Sequence, residues 1–122
     1  MKRDWDLIRR ILLDVRDNAD ASGAYLDPPA PKGWDTDTVL AHVELLIDAD
    51  YLDGEVRRSN EGIAGAVVSR LTWKGHEFVE AMADETTWKK ALGFLREKGA
   101  AQVAEVVFAL LKSWAMHAAG LL

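Results

Sequence analysis

The sequence contains no cysteine among its 122 residues. This absence excludes disulfides, thiolate zinc sites and cysteine nucleophiles, and it fits a protein of the reducing cytoplasm. The chain also has no glycine-rich phosphate loop and no Gly-x-Ser-x-Gly nucleophile elbow, two common enzyme signatures. Its first ten residues are rich in charge and lack the apolar core of a signal peptide. We therefore expect a cytoplasmic protein.

Side chains that bind metals are scattered along the chain. His42, His76 and His117 form no i, i+4 pair, which a helical zinc site would need. The acids from Asp48 to Asp53 depart from the ligand spacing of a calcium loop, because Leu52 stands where the third acid should be. We therefore predict no metal, no cofactor, no catalytic residues and no small-molecule substrate, and hence no enzyme.

Composition is that of a globular chain, with 49% hydrophobic and 29% charged residues. The net charge of −5 opposes non-specific attraction to nucleic acid, although a local basic patch could still bind it. A first amphipathic helix is predicted over Asp4–Asn18, because Trp5, Ile8, Leu12 and Val15 recur at helical spacing. A short strand at Ala24–Leu26 and a proline-rich segment follow. Trp34 is expected to fold back on the core, and the alternative is that it anchors in a pocket of a partner.

The outer face of the next helix has no lysine or arginine. Asp35 or Asp37 should cap it, and its buried face should hold Val39, Leu40, Val43, Leu46 and Ile47. No lysine or arginine occurs from Asp35 to Leu52. The outward positions, which form a candidate surface for a protein partner, are Thr38, Ala41, Glu44, Leu45 and Asp48.

A β-hairpin is predicted next, with strands at Glu55–Arg58 and Val67–Trp73. Strand alternation would place Val67, Leu71 and Trp73 on one face and Val68, Arg70 and Thr72 on the other. Basic side chains in this region outnumber the two acids, Glu55 and Glu61. The candidate DNA contacts are Arg57, Arg58, Arg70 and Lys74.

The C-terminal third should be helical. Thr72 is placed to cap a helix containing Phe78, Val79 and Met82, and Thr86 or Thr87 to cap another over Trp88–Lys98. The last helix, Ala101–Ala119, has two apolar stripes. We expect one stripe to pack against the rest of its own chain and the other against a second copy of the protein. The alternative is a membrane span, which Glu105 and Lys112 disfavour. The expected homodimer contacts are Val103, Val107, Leu110, Trp114 and Leu121.

This order of elements is that of a winged helix-turn-helix. Four stretches, MKRDWDLIRRIL, HVELLIDADYLDG, LTWKGHEFVEAM and TTWKKALGFLREKG, resemble a family of small bacterial and phage proteins, domain of unknown function 2513. The resemblance implies a winged-helix-like fold and a phage or prophage setting, and it carries no catalytic residues to transfer. We predict an α+β, mainly α chain, with a winged-helix-like domain over residues 1–83 and a C-terminal helical extension over residues 84–122.

Two functional hypotheses follow. The first is a regulatory protein that contacts DNA through the basic hairpin, which would act as a wing. Acidic Glu44 and Asp48 weigh against insertion of the preceding helix into a groove, because phosphate contacts dominate DNA affinity. The second is a protein-interaction module, or a phage-encoded inhibitor, that binds a host protein complex through the acidic helix.

Overall fold

The computed structural model describes the backbone of residues 1–98 and the side chains of residues 1–93. Over these residues the protein has the predicted α+β class, with four helices and one antiparallel hairpin. The elements in chain order are α1 Trp5–Asn18, α2 Thr36–Asp48, β1 Leu52–Ser59, β2 Gly62–Leu71, α3 Trp73–Met82 and α4 Glu85–Lys98.

The chain forms two compact units, Met1–His76 and Glu77–Leu122. The division predicted after residue 83 stays a prediction. The last predicted helix, its membrane-span alternative and the predicted dimer contacts Val103, Val107, Leu110, Trp114 and Leu121 lie outside the described residues. Over residues 1–98, no helix is both long and apolar enough to cross a membrane.

Helix α1 begins at Trp5, one residue after the predicted start. Asp4 is its N-cap, and the carboxylate Oδ1 accepts the backbone N–H of Leu7 at 3.1 Å. The helix packs against both α2 and β2. Its apolar face is therefore wider than the predicted stripe, because Leu7 and Leu13 are buried as well.

Helix α2 is capped by Asp35, whose carboxylate accepts the backbone N–H of Thr38 at 2.7 Å. Hydrogen bonding from Thr38 holds the pKa of Asp35 below its ordinary value. Its buried face contains Val39, Leu40, His42, Val43 and Leu46. Ile47, which was expected to be buried, is half-buried. The helix packs on both strands of the hairpin.

The two strands are longer than predicted and are joined through Asn60 and Glu61. Gly62, the first residue of β2, has a φ of +122°, a conformation that favours glycine. The short strand predicted near Ala24 is a single bridge between Leu26 and Val68 of β2. Strand β2 therefore lies between Leu26 on one side and β1 on the other.

The predicted face assignment of β2 is wrong, and a β-bulge is the reason. Asp53 pairs with Arg70 and the next residue, Gly54, pairs with Val68, so Ser69 is an extra residue in β2. The bulge shifts the alternation of side chains by one position. Consequently the buried residues of β2 are Ala66, Val68 and Leu71.

The prediction that Trp73 belongs to the second strand is also wrong. Trp73 does not continue β2 but begins α3, and 83% of its surface is exposed. Thr72 lies between the two elements, and its Oγ1 accepts the backbone N–H of Gly75 at 3.0 Å. The predicted threonine cap of α3 is thus confirmed, and the strand ends one residue before that cap.

In the second unit the predicted apolar stripe of α3, Phe78, Val79 and Met82, is buried. The predicted start of α4 is wrong. Asp84, not a threonine, caps the helix: one carboxylate oxygen accepts the backbone N–H of Thr87 at 2.8 Å and its hydroxyl at 2.7 Å. The helix therefore begins at Glu85, one turn earlier than predicted.

Two helical glycines should respond oppositely to replacement by alanine. A Cβ at Gly75 would collide with the backbone carbonyl of Tyr51, whereas a Cβ at Gly93 meets nothing within 4 Å. We expect Gly75→Ala to destabilise the protein by about 2 kcal/mol or more, as overpacking does. Gly93→Ala should stabilise it by roughly 0.5–1 kcal/mol through helix propensity. Thermal and urea unfolding measure both, and equal effects of the same sign would contradict the close approach at Gly75.

Candidate interaction surface

Asp4 connects α1 to two other segments. Its carboxylate Oδ2 accepts the indole N–H of Trp34 at 2.8 Å, and its backbone N–H donates to Nε2 of His42 at 2.9 Å. Burial opposes the charge of this carboxylate, but the hydrogen bonds from Trp34 and Leu7 prevail and hold the pKa of Asp4 below its ordinary value. Trp34 thus folds back on the domain, as predicted.

His42 completes this connection from inside α2. The side chain is fully buried, and Nδ1 lies 2.8 Å from the backbone carbonyl of Thr38. A carbonyl can only accept and the Asp4 N–H can only donate, so these two contacts fit the tautomer with its proton on Nδ1. In the sequence, His42 is one of three histidines that form no metal-binding pair. Its place among Val39, Val43 and Leu46 signalled burial, but nothing in the sequence signalled the partner 38 residues away.

The end of α2 fixes the base of the hairpin. Asp50 has a φ of 67°, and its carbonyl accepts the Thr72 hydroxyl at 2.6 Å. Lys74 donates to the carbonyl of Ala49 at 3.3 Å, and its ammonium lies 4.7 Å from the centroid of the Tyr51 ring. Lys74, one of the four predicted DNA contacts, therefore contacts the junction between α2 and the hairpin.

The predicted outward face of α2 is narrower than expected. Thr38, Ala41 and Glu44 are half-buried, whereas Leu45 and Asp48 are exposed. Leu45 is one of the few large apolar side chains at the surface of the described residues. Leu45 and Asp48 are the part of this face that a partner could reach, and we call them, together with the neighbouring half-buried Glu44, the α2 surface.

Hairpin arginines are engaged with acids to different degrees. Arg58 forms a hydrogen-bonded ion pair with Glu44 of α2, and Arg70 bonds to Asp53 at 3.2 Å. Arg57 is exposed and has no ion pair within residues 1–93; its guanidinium lies beside Gly65 on β2. The basic hairpin and the acidic helix are thus joined by a direct contact and form a single surface.

The hairpin is also less basic than the predicted strands suggested. Strand β1 begins at Leu52, so it includes Asp53, which the shorter predicted strand left out. Residues 52–71 contain equal numbers of basic and acidic side chains. The arginines are Arg57, Arg58 and Arg70, and the acids are Asp53, Glu55 and Glu61. The formal charge of the hairpin is therefore zero.

Two hollows flank the proline segment of the first unit. One, of about 230 Å³, lies between the prolines, Trp34 and the start of α2. The other, of about 300 Å³, lies between the segment, α1 and Leu26. Neither contains a convergent set of reactive side chains. Within the residues described, no group of three or more metal-binding side chains occurs.

The family comparison matches most of the chain. The model of the family described as "Hypothetical protein (DUF2513)" matches residues 2–101. The chain belongs to this family. An uncharacterized protein of Haemophilus influenzae is 34% identical over 98 residues, which cover 80% of this chain and 81% of that protein. No solved structure matches the chain significantly. The resemblance inferred from four sequence stretches is confirmed, and the family description names no activity, ligand or partner.

Replacing Asp4 should loosen the attachment of α1. We expect Asp4→Ala to reduce the free energy of unfolding by about 1–2 kcal/mol, because it removes the helix cap and the acceptor of the Trp34 N–H. Urea unfolding at pH 7 measures the loss. Asp37→Ala is the control, since this exposed first-turn acid is not the cap of α2; its loss should stay within about 0.5 kcal/mol. Equal losses in the two variants would contradict the role of Asp4.

The lowered pKa of Asp4 predicts how the stability difference between wild type and Asp4→Ala depends on pH. The pKa of Asp4 is lower in the folded protein than in the unfolded chain, so its contribution is fully present above the unfolded value of about 3.9. It is lost as the pH falls through the folded pKa. The difference in stability between wild type and Asp4→Ala should therefore be constant from about pH 5 to 7 and shrink below about pH 4. A difference that grows on acidification would contradict this assignment.

Proposed function

We propose that this protein is a non-enzymatic, winged-helix-like module that binds another protein through the α2 surface. The order α1, Leu26, α2, β1, β2, α3 supports the winged-helix-like part of this proposal. In that arrangement α2 takes the place of the recognition helix and the hairpin that of the wing. The chain departs from an ordinary winged helix because the proline segment replaces the first helix of the helix-turn-helix.

The ion pair between Arg58 and Glu44 is the observation that favours a protein over DNA. A winged helix that binds DNA presents basic side chains to the phosphates, and those contacts dominate the affinity for DNA. Here Arg58 of the hairpin is already paired with Glu44 of α2. Asp48 is exposed on the same helix and adds a further negative charge. A duplex would have to separate this pair and approach Asp48, whereas a protein surface of mixed charge would not.

Leu45 adds an apolar contact to this surface. It is exposed between Glu44 and Asp48 in sequence and lies on the side of α2 that faces away from the core. Protein interfaces commonly surround an apolar centre with polar and charged side chains. The α2 surface has that composition, and it fits a partner that presents an apolar side chain flanked by bases. A host protein complex in a phage or prophage setting, which the family resemblance suggests, is one such partner.

Site-specific photo-crosslinking in the native cell tests this proposal. A photoreactive amino acid at position 45 should yield a discrete protein adduct, and the same group at position 25, where Tyr25 is also exposed, should not. The adduct should weaken on Asp48→Lys, because the charge facing the partner is reversed. A nucleic-acid adduct at position 45, or identical adducts at both positions, would refute the assignment.

DNA binding by the hairpin is the second candidate, and exposed Arg57 is the observation that favours it. Arg58 is a poor probe, since its substitution also breaks the contact with Glu44. We expect Arg57→Gln to weaken binding to a mixed-sequence duplex and to reduce the salt slope by about one, as loss of one phosphate contact does. Fluorescence anisotropy at low salt measures it. No binding by wild type at low salt would sink this candidate.

A further inference from the structure

Strand β1 has an open edge. Within residues 1–98, β1 pairs with β2 along one side and with no strand along the other. An unpaired edge presents a row of backbone N–H and C=O groups that can pair with another strand. The extra residues of both hairpin bulges, Ala64 and Ser69, belong to β2. The open edge belongs to β1, which has no inserted residue of its own.

The charges of β1 are ordered along the strand. Both acids, Asp53 and Glu55, precede both bases, Arg57 and Arg58. When two copies of such a strand lie antiparallel, the acidic half of each faces the basic half of the other. Cross-strand pairs of opposite charge stabilise a sheet, and pairs of like charge destabilise it.

Side-chain direction selects one register. Glu55 and Arg57 are exposed on one face of β1, Val56 between them is half-buried, and Arg58 reaches Glu44 on the α2 side. Residues directly opposite each other in a sheet share a face. A register centred on Val56 therefore places Glu55 opposite Arg57 of the other copy, twice by symmetry.

The same register accommodates Arg58. It places Arg58 opposite Gly54 of the other copy, and Gly54 has no side chain to disturb the ion pair with Glu44. Glu55 and Arg57 have no ion pair within the described residues, in contrast to Arg58 and Arg70. We propose that β1 pairs antiparallel with β1 of a second copy, centred on Val56, with Glu55 and Arg57 forming two reciprocal ion pairs.

One adjustment accompanies this pairing. The guanidinium of Arg57 lies beside Gly65, its partner on β2, and it must turn toward the outer edge to meet the second copy. Gly65 contributes no side-chain contact that would be lost. The interface is distinct from the predicted dimer through the last helix, and it lies on β1 rather than on the α2 surface.

A charge-exchange experiment tests the proposal with the full chain. Glu55→Arg and Arg57→Glu should each weaken self-association about ten-fold or more, because each converts both reciprocal pairs into like-charge pairs. An equimolar mixture of the two variants should form a heterodimer, since both cross-strand pairs are then of opposite charge. Native mass spectrometry counts the species, and sedimentation equilibrium measures the dissociation constants.

Matched variants separate this interface from others. Glu61→Arg makes the same change of charge at the exposed hairpin turn and should leave self-association unchanged. Trp114→Glu, which targets the last predicted helix, should leave the preference for the mixed pair intact if β1 is the interface. A monomeric wild type at every concentration, or a mixture that shows no preference for the heterodimer, would overturn the proposal.

Discussion

The position of α2 depends on the hydrogen bonds that meet at Asp4. One residue caps α1 with its carboxylate, holds Trp34 with the same group and binds His42 through its backbone N–H. The buried imidazole has one donor and one acceptor, and each has a single partner that can satisfy it. Because buried polar groups are costly when unpaired, this arrangement specifies how α1, the end of the proline segment and α2 meet.

The hairpin is attached to the other end of α2 by a comparably specific junction. Thr72 bonds to the carbonyl of Asp50 and caps α3, while Gly75 allows the α3 backbone to approach Tyr51. This junction brings β1 beside α2, so that Arg58 meets Glu44. An exposed ion pair contributes about 0–1 kcal/mol to stability. The pair also leaves α2 and the hairpin with a surface of mixed charge, and the proposal of a protein partner rests on that surface.

Local features of the fold could be predicted, and long-range ones could not. The cap at Thr72, the choice between Asp35 and Asp37 as the cap of α2, and the apolar stripes of the helices follow from spacing within one or two turns. The buried face of β2 was predicted incorrectly because Ser69 bulges, and a bulge depends on pairing with Asp53 and Gly54 across the hairpin. The start of α4 was misplaced because Asp84 and the two threonines are all acceptable caps by type, and only the packed backbone selects among them.

The sequence by itself determined the α+β class, the presence of helices α1 to α4, the existence of the hairpin and the family. It also determined the composition of the candidate surface, including an outer helix face without bases and a strand with acids before bases. Only the tertiary structure decided which charges meet: Arg58 with Glu44, Arg70 with Asp53, and Asp4 with Trp34 and His42. The physical reason is distance along the chain. Helical periodicity and capping act over a few residues, whereas these contacts join segments that come together only when the core packs.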